Sequence, residues 1–191
     1  MKRILIGALV GGAILFIWSF IAWGVSPMHL HTFMYTPAQD SLLKVLAESG
    51  METGTYSMPF VDNRNVHGMD TKYMEDCKKL MEENKGKPTA TIFYLKEGMT
   101  FDGGTLFKGF LLEFLAVLVV CIILAPAFVS TNSYFGRWWL VLLVGLLISL
   151  CGPMINYNFM GYPWEFTLDM VVDIFANWAI VGLWLAWYFR K

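Results

Sequence analysis

The chain has 191 residues, of which 57% are hydrophobic and only 15% charged, with a formal net charge of −1. An average soluble domain carries roughly a quarter charged residues, so this balance argues against a soluble globule, a disordered chain and a nucleic-acid binder, which needs a basic footprint. Three cysteines at 77, 121 and 151 are odd in number and far apart, which argues against a disulfide framework.

Four apolar runs organise the sequence. The first, Ile4 to Val25, holds 22 residues without a charge. It is longer than the 7–15 residues of a signal-peptide core and no A-x-A site follows, so it reads as a membrane span. The others are Leu106–Val129, Trp138–Ile155 and Phe166–Phe189. About 20 apolar residues cross a hydrocarbon core of ~30 Å. The expected fold is therefore an α-helical membrane protein with four transmembrane helices, residues 1–25, 106–129, 138–155 and 166–189. A small α/β extramembrane domain, 26–105, is inserted between helices 1 and 2. Lys2, Arg3, Arg137, Arg190 and Lys191 all fall on one side if both termini are inside. The positive-inside rule then places 26–105 outside, in the periplasm of a bacterial inner membrane protein.

Within 26–105 the pattern predicts β-α-β-α-β. His29–Tyr35 reads as a strand. Thr36-Pro37-Ala38-Gln39 reads as a capping box opening a helix. Tyr56, Met58 and Phe60 alternate as a half-buried strand does. Asp70 caps a second helix whose stripe is Tyr73, Met74, Cys77, Leu80 and Met81, and Gly86 and Pro88 stop it. Thr89–Leu95 is apolar on both faces and reads as a central strand. Gly98, Gly103 and Gly104 mark a flexible entry to the next span. Uncharged Tyr157–Trp164 reads as an aromatic loop on the same side as this domain.

No H-E-x-x-H, C-x-x-C, G-x-S-x-G, P-loop or G-x-G-x-x-G motif occurs, which lowers the expectation of an enzyme. Two polar constellations remain. All three histidines and eight of the 12 methionines lie in 26–105. Imidazole and thioether suit Cu(I), so His29, His31 and His67 with Met28, Met34 and Met69 are candidate copper ligands. Methionine filling gaps in a small core is the plainer reading. On the fourth run Asp169, Asp173 and Asn177 fall at i, i+4 and i+8 on one face, and Glu113 lies about 10 Å into the second run at 1.5 Å per residue. Acids at membrane depth point to a proton or cation site, or to hydrogen bonds that fix the bundle. Gly7 and Gly11 form a G-x-x-x-G for close helix approach. The expectation is a non-enzymatic binding, assembly or accessory subunit of an envelope complex, held in the lipid bilayer and docking a membrane or periplasmic protein partner, with no nucleic acid. Outward-facing copper handling or proton and cation transport is the alternative.

Overall fold

The computed structural model describes residues 1–64, 66, 70–125 and 133–190. They divide into two compact units, Met1–Tyr35 with Thr100–Lys191, and Thr36–Met99.

The first unit is a helical bundle. Helix α1 spans Lys2–Phe20 and continues through a π-helical turn, Ile21–Val25. Helices α4 (Gly103–Ile123), α5 (Tyr134–Ser149), α6 (Ile155–Met160) and α7 (Trp164–Tyr188) follow, numbered after two shorter helices of the second unit. Among the described residues, four segments are long and apolar enough to cross a membrane: Lys2–Val25, Gly103–Ile123, Tyr134–Met160 and Trp164–Tyr188. The second span starts three residues before the sequence expectation, because the Asp102 carboxylate accepts from Thr105 N at 2.8 Å and caps α4. That backbone hydrogen bond holds the Asp102 carboxyl below its ordinary value. Gly103 and Gly104 are thus the first turn of α4 and not a flexible entry. The third span is longer than 138–155. Pro153 cannot donate a helical hydrogen bond, and a π-helical turn over Leu150–Met154 absorbs the fault and carries the chain into α6. Tyr157–Met160 is therefore helix, and the expected aromatic loop shrinks to Gly161–Pro163, where Gly161 takes φ +67° and ends α6.

Helix α1 packs on α4 and α7, and α5 packs on α7. The core contains Ala8, Leu15, Val117, Cys121, Val141, Val181 and Leu185. Glycines set the spacing. A Cβ on Gly11 would lie 2.7 Å from Val117, and one on Gly12 would lie 2.8 Å from the Phe114 Cα. Gly7 faces Cys121, Tyr188 and Phe189, while Gly145 and Gly182 bring α5 and α7 together. At the C-terminal end of α7, Arg3 donates to the carbonyls of Tyr188 and Arg190, and buried Arg137 donates through Nε to Ala186 O at 2.9 Å. Both cations sit where a helix leaves its carbonyls without intrahelical donors.

The second unit contains α2 (Gln39–Glu48), β1 (Gly54–Met58), α3 (Thr71–Glu83) and β2 (Ala90–Tyr94). β1 and β2 pair antiparallel, with Gly54 opposite Tyr94 and Met58 opposite Ala90. The order is α-β-α-β, so the expected five-element β-α-β-α-β domain loses its first strand, and β2 is one of a pair and not a central strand. His29–Tyr35 fails as a strand because Ser26 and Pro27 start a 3-10 turn: Ser26 Oγ accepts from Met28 N at 3.2 Å, and Leu30 N and Thr32 N each bond three residues back. The Thr36 capping box is also not formed. Thr36 Oγ1 accepts from Ala38 N at 3.3 Å within a turn, and the helix starts afterwards at Gln39. Asp70 does cap α3, accepting from Tyr73 N at 2.7 Å. Among the described residues of this unit none is buried, and the expected stripe of α3 is only half-covered, with Met81 75% exposed.

The glycine contacts give a direct test. Gly12→Ala pushes a Cβ onto backbone, and we expect a loss of about 1–3 kcal/mol, the usual cost of overpacking. Gly24→Ala meets nothing closer than 3.8 Å and is expected to be neutral or mildly stabilising, because alanine favours the helix. Unfolding of both variants in detergent measures the difference; equal stabilities contradict the packing described.

Candidate functional site

The polar candidates of the membrane helices gather at the end of the bundle where α1 finishes and α7 begins. Glu113 projects from α4 and accepts a hydrogen bond from Ser19 Oγ of α1 at 2.8 Å through Oε1. Asp173 projects from α7 and accepts from the Trp23 indole Nε1 at 3.2 Å through Oδ2. Asp169, one turn earlier on α7, accepts from Thr32 Oγ1 at 2.6 Å. Glu113, Asp169 and Asp173 therefore each take a donor from the first 35 residues of the chain.

Thr32 belongs to the segment that the 3-10 turn folds back after α1, and His29 comes with it. The imidazole stacks on the Trp23 ring, with centroids 3.8 Å apart and planes inclined by 5°. Its Nδ1 lies 3.3 Å from Thr32 Oγ1, and its Nε2 lies 3.9 Å from Asp173 Oδ1. The side chains of His29 and Asp173 are only 6% and 13% exposed. Phe33 adds an edge contact to Phe166 of α7, centroids 5.9 Å apart. The segment is thus fastened to α7 by one hydroxyl and one aromatic ring, and the imidazole stands beside Asp173.

Several buried polar atoms have no hydrogen-bond partner among the described residues: His29 Nε2, Asp173 Oδ1, Glu113 Oε2, Asn177 Oδ1 and Trp18 Nε1. Glu113 and Asn177 also line a cleft of about 280 Å³ between α1, α4 and α7, whose other walls are apolar and include Leu15 and Trp178. Two carboxylates, one imidazole and one amide with unpartnered buried atoms form a site able to bind a proton or a hydrogen-bond donor.

The structure places Glu113, Asp169, Asp173 and Asn177 in one region. It does not join the soft ligands. Without the strand, His29 and His31 no longer share a face: His29 is turned onto Trp23 and Asp173, while His31 is exposed and Met28 and Met34 are 42% and 89% exposed. His67 and Met69 lie outside the described residues. Among the described residues no group of three or more His, Cys, Asp or Glu side chains is placed to hold a metal ion. Sequence reasoning missed Ser19, Trp23 and Thr32. The available signals were a hydroxyl inside a charge-free span and an indole at its end, both of which have commoner uses.

No family model, curated protein or solved structure matches this chain.

The Trp23 bond separates charge from shape at Asp173. Asp173→Asn keeps an oxygen for the indole and offers an amide N–H to His29, so we expect near-wild-type stability in detergent. Asp173→Leu removes the acceptor and is expected to cost roughly 0.6–2 kcal/mol, the range for interhelical hydrogen bonds in membranes. Equal losses for the two variants contradict the assignment.

Proposed function

We propose that the protein is a non-enzymatic binding or assembly subunit of an envelope membrane complex, with 36–99 as its docking module. The observation that carries this reading is the absence of any buried residue among the described residues of that unit, together with its exposed Leu42, Leu43, Phe60, Met81 and Phe93. A unit of this size that leaves such side chains in water has too little core to be stable alone, and apolar surface of this kind marks an interaction site. A membrane or periplasmic protein partner supplies the missing cover. The positive-inside bias supports an N-in/C-in arrangement with 26–105 on the periplasmic side of a bacterial inner membrane.

Handling of protons or cations is the second reading. It is favoured by the carboxylates and the imidazole brought together at one end of the bundle. Copper is favoured less, because His29 is engaged with a carboxylate and the described methionines stand apart from it.

Two experiments test the docking reading. A cysteine at Asn63 should react with an impermeant thiol reagent in intact cells and one at Ser133 should not; the reverse pattern contradicts the orientation. A photo-crosslinking residue at Phe93 or Met81 should trap one discrete protein partner, whereas the same probe at exposed Glu48 should trap none. Probes at Phe93 and Met81 that yield only uncrosslinked chain contradict the docking role.

A further inference from the structure

We propose that His29 is an imidazolium held between the Trp23 ring and the Asp173 carboxylate, forming a proton-binding site that fastens the Ser26–Tyr35 segment to α7. The inference is independent of the docking reading and deepens the second one by naming the ion as a proton.

The hydrogen-bond arithmetic leads to it. Thr32 has one hydroxyl proton, and it goes to Asp169 at 2.6 Å. The Thr32 oxygen can then only accept from His29, so Nδ1 carries a hydrogen. A neutral imidazole with its hydrogen on Nδ1 presents a bare lone pair at Nε2. That atom faces Asp173 Oδ1 across 3.9 Å, both atoms are buried, and among the described residues neither has another partner. Two acceptors facing each other away from water are each left unsatisfied, which is unfavourable for both. A single proton on Nε2 converts the pair into a cation and an anion, and a small rotation closes it to a charge-assisted hydrogen bond.

The stacking is compatible with the charge. A cation within about 6 Å of a Trp ring centroid is drawn to the negative face of the ring. The His29 ring lies parallel to the indole, with centroids 3.8 Å apart and planes inclined by 5°, within reach of that attraction. Trp23 also donates its indole N–H to the other oxygen of Asp173, so one side chain orients both members of the pair. The ionisable groups around His29 are Asp173 directly and Asp169 through Thr32, both on α7; Trp23 of α1 is uncharged, and the remaining acid of the cluster, Glu113 of α4, is engaged by Ser19.

The site binds a proton without offering a route across the bundle. Beyond Asn177 the described inward face of α7 continues with Trp178, Val181 and Leu185, all buried and apolar in the core. Loss of the proton would set two lone pairs against each other and release the segment. The site is therefore a latch and not a channel.

The test uses the full chain in detergent at pH 7.5, with His31→Gln and His67→Gln leaving His29 alone and 15N-labelled. An ordinary histidine is roughly nine-tenths neutral at this pH. Expected are two protonated ring nitrogens for His29, and a change to one protonated and one bare nitrogen in Asp173→Asn. Thermal unfolding of that variant accompanies the spectrum to show that it is folded. A neutral His29 in the otherwise wild-type chain, as a bridging water donating to both acceptors would leave it, overturns the proposal whatever the variant does. An imidazolium that persists unchanged in folded Asp173→Asn overturns the role of Asp173. Proton flux into proteoliposomes is read separately: the latch predicts none, and a flux that Asp173→Asn abolishes would replace the latch with transport.

Discussion

Polar side chains placed among membrane helices must find their hydrogen-bond partners within the protein, because hydrocarbon offers none. That constraint organises one end of this bundle. Glu113, Asp169 and Asp173 each need a donor, and Ser19, Thr32 and Trp23 supply them. These bonds tie α1 to α4, the segment after α1 to α7, and α1 to α7. A chain that left its first span in an extended strand would strand at least one acid, which is why the turn over Pro27–His29 and the site belong together.

The opposite end of α7 is held by different chemistry. Arg3 and Arg137 reach its last carbonyls, and the glycines at 7, 11, 12, 145 and 182 let the helices approach closely between the two ends. No spanning window buries more than a third of its residues, so the outward faces are left for lipid or for a neighbouring protein. The second unit contrasts with this. Its two strands and two helices are locally sound, with Asp70 capping α3 and Lys96 Nζ reaching Glu52 across the strand ends at 2.6 Å. It nevertheless encloses nothing. Local signals suffice to form its elements, and none of its described residues is buried.

The legible features were those written in local pattern. Long uncharged runs give the spans, and the i, i+4, i+8 spacing places Asp169, Asp173 and Asn177 together. Gly7 and Gly11 stand in a spaced pair and lie against neighbouring helices, whereas Gly145 and Gly182 carry no motif and become visible only where α5 crosses α7. The β-rich look of His29–Tyr35 was misleading, because Ser26 and Pro27 just before it commit the backbone to turns. His29 was grouped with methionines beside it in sequence, but its partner is Asp173, 144 residues away, which no local pattern records. The third apolar run stops at Ile155, whereas a π-helical turn around Pro153 carries the helix on to Met160.

The segment after α1 folds back onto α7 through its polar side chains, and the Thr32–Asp169 bond is the shortest link between them. A double-mutant cycle with Thr32→Val and Asp169→Ala, read as unfolding free energy in detergent, tests it most directly. The account predicts that the double variant loses clearly less than the sum of the two single variants, with a coupling of at least about 0.5 kcal/mol. Losses that simply add would show that the two side chains do not meet, and would contradict the account.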